Sequence, residues 1–133
     1  QGDDALLRET RAQARDWGAF AAFVNRTHRT LERFYRTHGD RPDLAVRRRR
    51  QFRAIREEAR RLRVRTRSTW EREELTRPMN SAIFFRYHDY TRFYPLALRV
   101  HRRTGSLSRA MRIFRRAGEN GAPDALRRFL RGG

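Results

Sequence analysis

Apolar side chains recur along the first third of this chain at intervals near three and four residues. Leu6, Trp17, Phe20, Val24, Leu31 and Phe34 fall on one stripe between Asp3 and His38. That spacing places them on one face of a long α-helix. Asp3 and Asp4 are of the residue type that caps helices and suits the positive end of a helix dipole. Gly18 weakens the middle of the pattern without ending it. Gly39 suits a C′ position, and Gly39-Asp40-Arg41-Pro42-Asp43 reads as a turn. A second helix starts near Asp43, with Leu44, Phe52, Ile55, Ala59 and Leu62 as its buried face. It fades through the polar stretch from Ser68 to Thr76 and stops by Pro78.

Shorter helices follow. Asn80 caps one over Ala82, Ile83, Phe84 and Phe85. Asp89 or Thr91 starts the next, with Pro95 in its first turn or at a kink and with Phe93, Leu96, Ala97 and Val100 inside. Thr104-Gly105 ends it. Ser106 caps another, with Leu107, Ala110, Met111 and Phe114 inside, and Gly118 stops it. Pro123 opens a last helix that runs to Gly132, with Leu126, Phe129 and Leu130 inside. No alternating strand pattern competes, and there is no internal repeat. The fold class expected is therefore all-α. It is a helical bundle built on a long antiparallel αα-hairpin (1–76) with shorter C-terminal helices (77–133), in a single domain spanning 1–133. Each hairpin helix is expected to run to ~30 residues, or ~45 Å. A hairpin that long is expected to lie along a larger partner.

Composition sharpens the question of partners. Apolar residues make up 38% of the 133 residues and charged residues 36%, a balance that in other chains accompanies disorder. Nine Phe, four Tyr and two Trp, with only four Pro, argue for a folded core instead. Thirty-three basic residues face fifteen acidic ones, for a net charge of +18 and an isoelectric point near 11.8. All the basic residues are Arg, which points to codon bias in a GC-rich genome for part of the excess. The field that remains favours anionic partners. There is no Cys, so disulfides, thiolate metal sites and Cys nucleophiles are excluded. The longest uncharged run, Trp17 to Asn25, is far short of the ~20 residues of a membrane span.

No catalytic constellation is complete. His28, His38, His88 and His101 form no His-Glu-x-x-His pair, so no metal ligands are assigned and each His reads as surface or half-buried. No Gly-rich phosphate loop exists, and no Ser has a nucleophile-elbow context. Glu57, Glu58, Glu71, Glu73 and Glu74 read as partners for neighbouring Arg, with Glu57 and Glu58 both in reach of Arg61. The aromatic run Phe84, Phe85, Tyr87, Tyr90, Phe93 and Tyr94, interleaved with Arg86 and Arg92, reads first as core and second as a platform for unpaired bases. Arg47, Arg48, Arg49 and Arg50 occupy a little over one helical turn, so they cannot all face one groove. They are the candidate contacts to a protein, a lipid headgroup or a nucleic acid phosphate, against plain solvation.

Pro78-Met79-Asn80-Ser81-Ala82, Tyr90, and Gly105-Ser106-Leu107 together resemble the C-terminal part of the bacterial family of predicted zinc aminopeptidases. That family carries a Pro-apolar-Asn-Asn-Ala element, a Tyr ten residues after the first Asn, and a Gly-Asp-Leu helix start. The upstream hairpin is similar as well, so the resemblance spans nearly the whole chain. Ser81 stands where the family has a second Asn. The family's His-Glu-x-x-His helix would lie before Gln1. The resemblance therefore implies a C-terminal fragment, a processed product, or a relative without the catalytic half. It implies no cofactor in this chain, with zinc confined to the absent half, and it puts Asn80 and Tyr90 beside the substrate cleft. It also implies a periplasmic or envelope location, with the cytoplasm as the alternative. Three functions follow as expectations. The first is a non-catalytic interaction or structural subunit docked on a larger protein. The second is an Arg-rich module for nucleic acid or anionic membrane. The third is part of an active metallo-aminopeptidase when joined to the missing half.

Overall fold

A computed structural model describes residues 2–119 and 121–132 of the chain. Among these residues there are seven helices and no strand, so the protein is all-α. They are α1 (Gly2–His38), α2 (Leu44–Arg65), α3 (Thr69–Glu74), α4 (Ser81–Thr91), α5 (Tyr94–Thr104), α6 (Leu107–Glu119) and α7 (Ala122–Gly132). The chain divides into two compact units, Gln1–Asp89 and Tyr90–Gly133. The division falls near the end of α4.

In the first unit, α1 and α2 form an antiparallel hairpin. Asp16 Oδ2 accepts hydrogen bonds from the backbone N–H groups of Arg67 and Ser68, each at 2.7 Å. Ten residues further along α1, Arg26 donates to Glu58 at 2.6 Å. The partner number falls as the α1 number rises, which is the signature of antiparallel pairing. The turn between the helices depends on Gly39. Its N–H bonds the Tyr35 carbonyl at 2.8 Å, and a Cβ there would lie only 2.7 Å from that oxygen. Phe20, Phe23, Val24 and Leu31 of α1 pack on Phe52, Ile55, Ala59 and Leu62 of α2. Leu75 and Phe84 close the same core. Burying side chains of this size contributes ~1.5–3 kcal/mol each. Phe23 is 1% exposed, and truncating it to Ala should cost about 3–5 kcal/mol.

The sequence pattern did not disclose α3. Its six residues, Thr-Trp-Glu-Arg-Glu-Glu, are polar but for Trp70. Trp70 docks that turn on the core, 5.7 Å from the Trp17 ring and 5.5 Å from the Phe20 ring. Glu71 and Glu74 are buried there, Glu71 bonded to the Ser68 hydroxyl and Glu74 to Arg77 at 3.1 Å. Leu6 departs from the expected stripe. It is 64% exposed, because α1 runs 37 residues while α2 runs 22 and leaves the first turns of α1 without a partner.

The second unit is a three-helix bundle in which α5, α6 and α7 each pack on the other two. Val100, Ala110, Ala117 and Leu126 are its buried core, flanked by Leu96, Ile113, Phe114, Phe129 and Leu130. Ala110 and Ala117 lie two helical turns apart on α6, and their small side chains allow close packing. Gly105 and Gly121 adopt φ of 62° and 76°, the left-handed conformation that glycine enters without a Cβ clash. Pro95 sits in the first turn of α5, where its missing N–H costs nothing. Leu107 and Met111, expected inside, are instead 66% and 54% exposed. None of the described helices is long and apolar enough to cross a membrane.

Candidate anion-binding cleft

Helix α2 carries Arg48, Phe52 and Arg56 at intervals of four, with Arg49 three residues before Phe52. Such spacing puts all four on one face. Phe52 is buried and anchors that face to the core, so the three exposed arginines stand along its edge. Opposite them, the chain enters α4 through Met79, Asn80 and Ser81. Together these seven residues line an open cleft of about 330 Å³.

The α4 side of the cleft is fixed by two hydrogen bonds. Asn80 Oδ1 accepts from the Ile83 N–H at 3.0 Å, a side-chain cap of the kind expected at this position. Ser81 Oγ lies 2.7 Å from the Tyr35 hydroxyl, which ties the first residue of α4 to α1. A helix start presents unpaired N–H groups and a partial positive charge. Here it faces three arginines.

The carboxylates on α2 and just before it, Asp43, Glu57 and Glu58, are engaged elsewhere. Asp43 binds Arg47 at 2.7 Å and Arg41 at 3.4 Å. Glu57 binds Arg60 at 3.0 Å and Arg61 at 3.1 Å. Glu58 turns from Arg61 to Arg26 across the hairpin. Among the described residues Arg48, Arg49 and Arg56 have no carboxylate partner, and the cleft contains no acidic residue. The pKa shifts agree with this division. Partial desolvation pushes the Asp43 carboxyl up, but the hydrogen bonds and charges of Arg47 and then Arg41 outweigh it and leave the pKa lowered. Hydrogen bonds from Arg60 and Arg61 lower the Glu57 carboxyl, and the bond to Glu57 raises Arg60.

Of the four consecutive arginines singled out in the sequence, Arg48 and Arg49 therefore line the cleft. Arg47 is turned to Asp43, and Arg50 is exposed outside it. Of the two residues that the aminopeptidase resemblance singles out, Asn80 lines the cleft between α2 and the start of α4. Tyr90 does not; it lies near the other end of α4 and is 72% exposed. Arg56 and Ser81 of the cleft, and Tyr35 behind Ser81, are not assigned to it from sequence. Arg56 was findable as the residue one turn beyond Phe52, on the same face as Arg48. The Tyr35 contact spans 46 positions and left no local signal.

The histidines make a different arrangement. His28 and His88 stack face to face, ring centroids 3.7 Å apart and planes within 8°. Phe85 meets His28 edge-on, and His88 Nδ1 lies 3.0 Å from Asn25 Oδ1. Ring nitrogens of parallel stacked imidazoles point side by side and do not converge on one ion. Among the described residues no three His, Asp or Glu form a metal-binding group.

Compared with known proteins, the chain matches no family model, no curated protein and no solved structure.

Proposed function

We propose that this protein is a non-catalytic, arginine-rich helical module that holds a phosphate-bearing partner in the cleft between α2 and the start of α4. One observation carries the reading. Arg48, Arg49 and Arg56 line a cleft without a carboxylate, opposite the N-terminal end of a helix. Guanidinium forks and helix N–H groups are the donors that phosphate oxygens take. The cleft lies at the small end of the ~300–1,000 Å³ range for ligand pockets, which suits a single phosphorylated group.

The test is a titration of the full chain with inorganic phosphate, followed by amide NMR, with chloride at equal ionic strength as the reference. Phosphate should shift the amides of Ser81 and Ala82 saturably. R48Q/R49Q/R56Q should abolish the response, while R47Q and R50Q should leave it. Shifts of equal size with chloride, or an unchanged response in the triple variant, would overturn the proposal.

A second reading, docking on a larger protein, is favoured by the unpartnered start of α1. Leu6 and Leu7 are 64% and 53% exposed on it, and a pair of exposed leucines on a projecting helix is a candidate protein contact. Crosslinking from Leu6→Cys in the native source should then capture one protein in stoichiometric yield. Scattered low-yield adducts would count against docking through this segment.

A further inference from the structure

The second unit concentrates charge. Residues 90–133 hold eleven Arg against two acidic residues, a net +9 in a third of the chain. Two clefts open in this unit, and α7 contributes to both. One, of about 380 Å³, is lined by Arg92, Phe93, Leu96, Arg99, Arg127 and Arg131. The other, of about 510 Å³, is lined by Arg103, Arg109, Arg112, Ile113, Arg116 and Phe129. Among the described residues no carboxylate lines either cleft, although Arg127 at the edge of the first is paired with Asp124 at 2.8 Å.

Each cleft pairs a guanidinium with a phenyl ring. The Arg92 guanidinium carbon lies 4.6 Å from the Phe93 ring centroid, and that of Arg103 lies 5.5 Å from the Phe129 centroid. Arg103 is fixed further by donating to the Leu130 carbonyl oxygen at 2.7 Å. Each of these rings thus has a guanidinium over it, and a guanidinium plane backed by a ring is a surface on which unpaired bases stack, with the neighbouring arginines beside it for phosphates.

We infer that this three-helix unit binds single-stranded nucleic acid, its phosphates along the arginine rims and its bases against the Arg92–Phe93 and Arg103–Phe129 pairs. A duplex keeps its base faces stacked inside and cannot offer them to either ring. A membrane surface cannot enter a recess between helices, and membrane binding would call on exposed Leu107 and Met111 instead. Arginine suits both halves of the contact, since its planar fork pairs with phosphate and stacks on rings. The residues are distinct from those of the α2–α4 cleft, so this inference stands or falls separately.

The experiment is fluorescence anisotropy on the full chain with labelled oligothymidylate of about 12 nucleotides, within the site sizes of single-strand binders. The same oligonucleotide annealed to oligoadenylate is the duplex competitor, and phosphatidylserine vesicles are the lipid competitor. The single strand should bind at least about tenfold more tightly than the duplex. Phe93→Ala, a change at a partly exposed ring, should weaken single-strand binding about tenfold and leave duplex binding unchanged. R99Q/R131Q should weaken both and flatten the salt dependence. Equal affinity for duplex and single strand, an unaffected F93A, or displacement by vesicles but not by duplex would each overturn the inference. So would a loss of oligonucleotide binding in R48Q/R49Q/R56Q alone, a result that would leave the phosphate cleft intact.

Discussion

Asp16 organises a junction 51 residues away in sequence. One carboxylate oxygen takes the N–H groups of Arg67 and Ser68, where α2 has ended and α3 has yet to begin. Bonds to a charged acceptor contribute ~1.5–3 kcal/mol, less where water competes. Asp16→Ala should therefore cost about 2 kcal/mol in urea unfolding, and a cost below ~0.5 kcal/mol would show that water replaces the carboxylate. Asn80→Ala should cost ~1 kcal/mol by loss of the α4 cap. The two residues differ in what the sequence discloses. Asn80 acts on Ile83, three positions on, and its role is written in that spacing. The partners of Asp16 are set by the hairpin, so no local pattern names them. Acidification follows from the same scale. Asp43 and Glu57 have lowered pKa values in the folded state. Their contribution is present above the ordinary carboxylate range and is lost as pH falls through the lower folded values. The melting temperature should thus fall below about pH 4. Glu57→Gln should flatten part of that fall, and an identical pH profile in the variant would refute its attribution to Glu57.

At the scale of elements, helix ends were legible where glycine or proline set them. Gly39, Pro95, Gly105 and Pro123 each mark a boundary that the structure keeps, because glycine's lack of a Cβ and proline's fixed φ act without help from distant residues. Which face lies inside was less legible. Leu6, Leu107 and Met111 fit helical stripes, yet burial also needs a second surface, and periodicity cannot supply one. The missing α3 is the converse case, a polar turn held by Trp70 against Trp17 and Phe20 from another helix. The start of α1 gives a prediction of its own. An isolated helical segment of about a dozen residues is marginal in water, and the first buried apolar residue of α1 is Phe20. Amides of residues 5–13 should therefore exchange with deuterium far faster than those of 20–34. Equal protection along α1 would mean that the projecting turns are covered by a partner, such as a second copy of the chain.

At the scale of the whole molecule, charge is the dominant fact. The first unit carries twenty-two Arg against thirteen acidic residues, and the second eleven against two, so each has a net +9 despite their difference in length. The ion pairs are largely solvent-exposed, such as Arg60–Glu57 and Arg127–Asp124, and pairs of that kind contribute ~0.2–1 kcal/mol each. Salt screens these attractions and the net repulsion alike, with a Debye length of ~10 Å at 0.1 M. With more than two arginines for every acid, repulsion has the larger sum. Sodium chloride should therefore raise the melting temperature between about 0.05 and 0.5 M, whereas a fall would mean that the exposed pairs outweigh the net charge. Sulfate separates screening from occupancy. It strengthens burial in any protein by exclusion from the surface, and it also adds binding free energy wherever an oxyanion site exists. Measured at matched ionic strength, the excess of sulfate over chloride should shrink in R48Q/R49Q/R56Q, because exclusion survives the substitution and occupancy of the α2–α4 cleft does not. An unchanged excess would leave exclusion, or arginines outside the cleft, as its source.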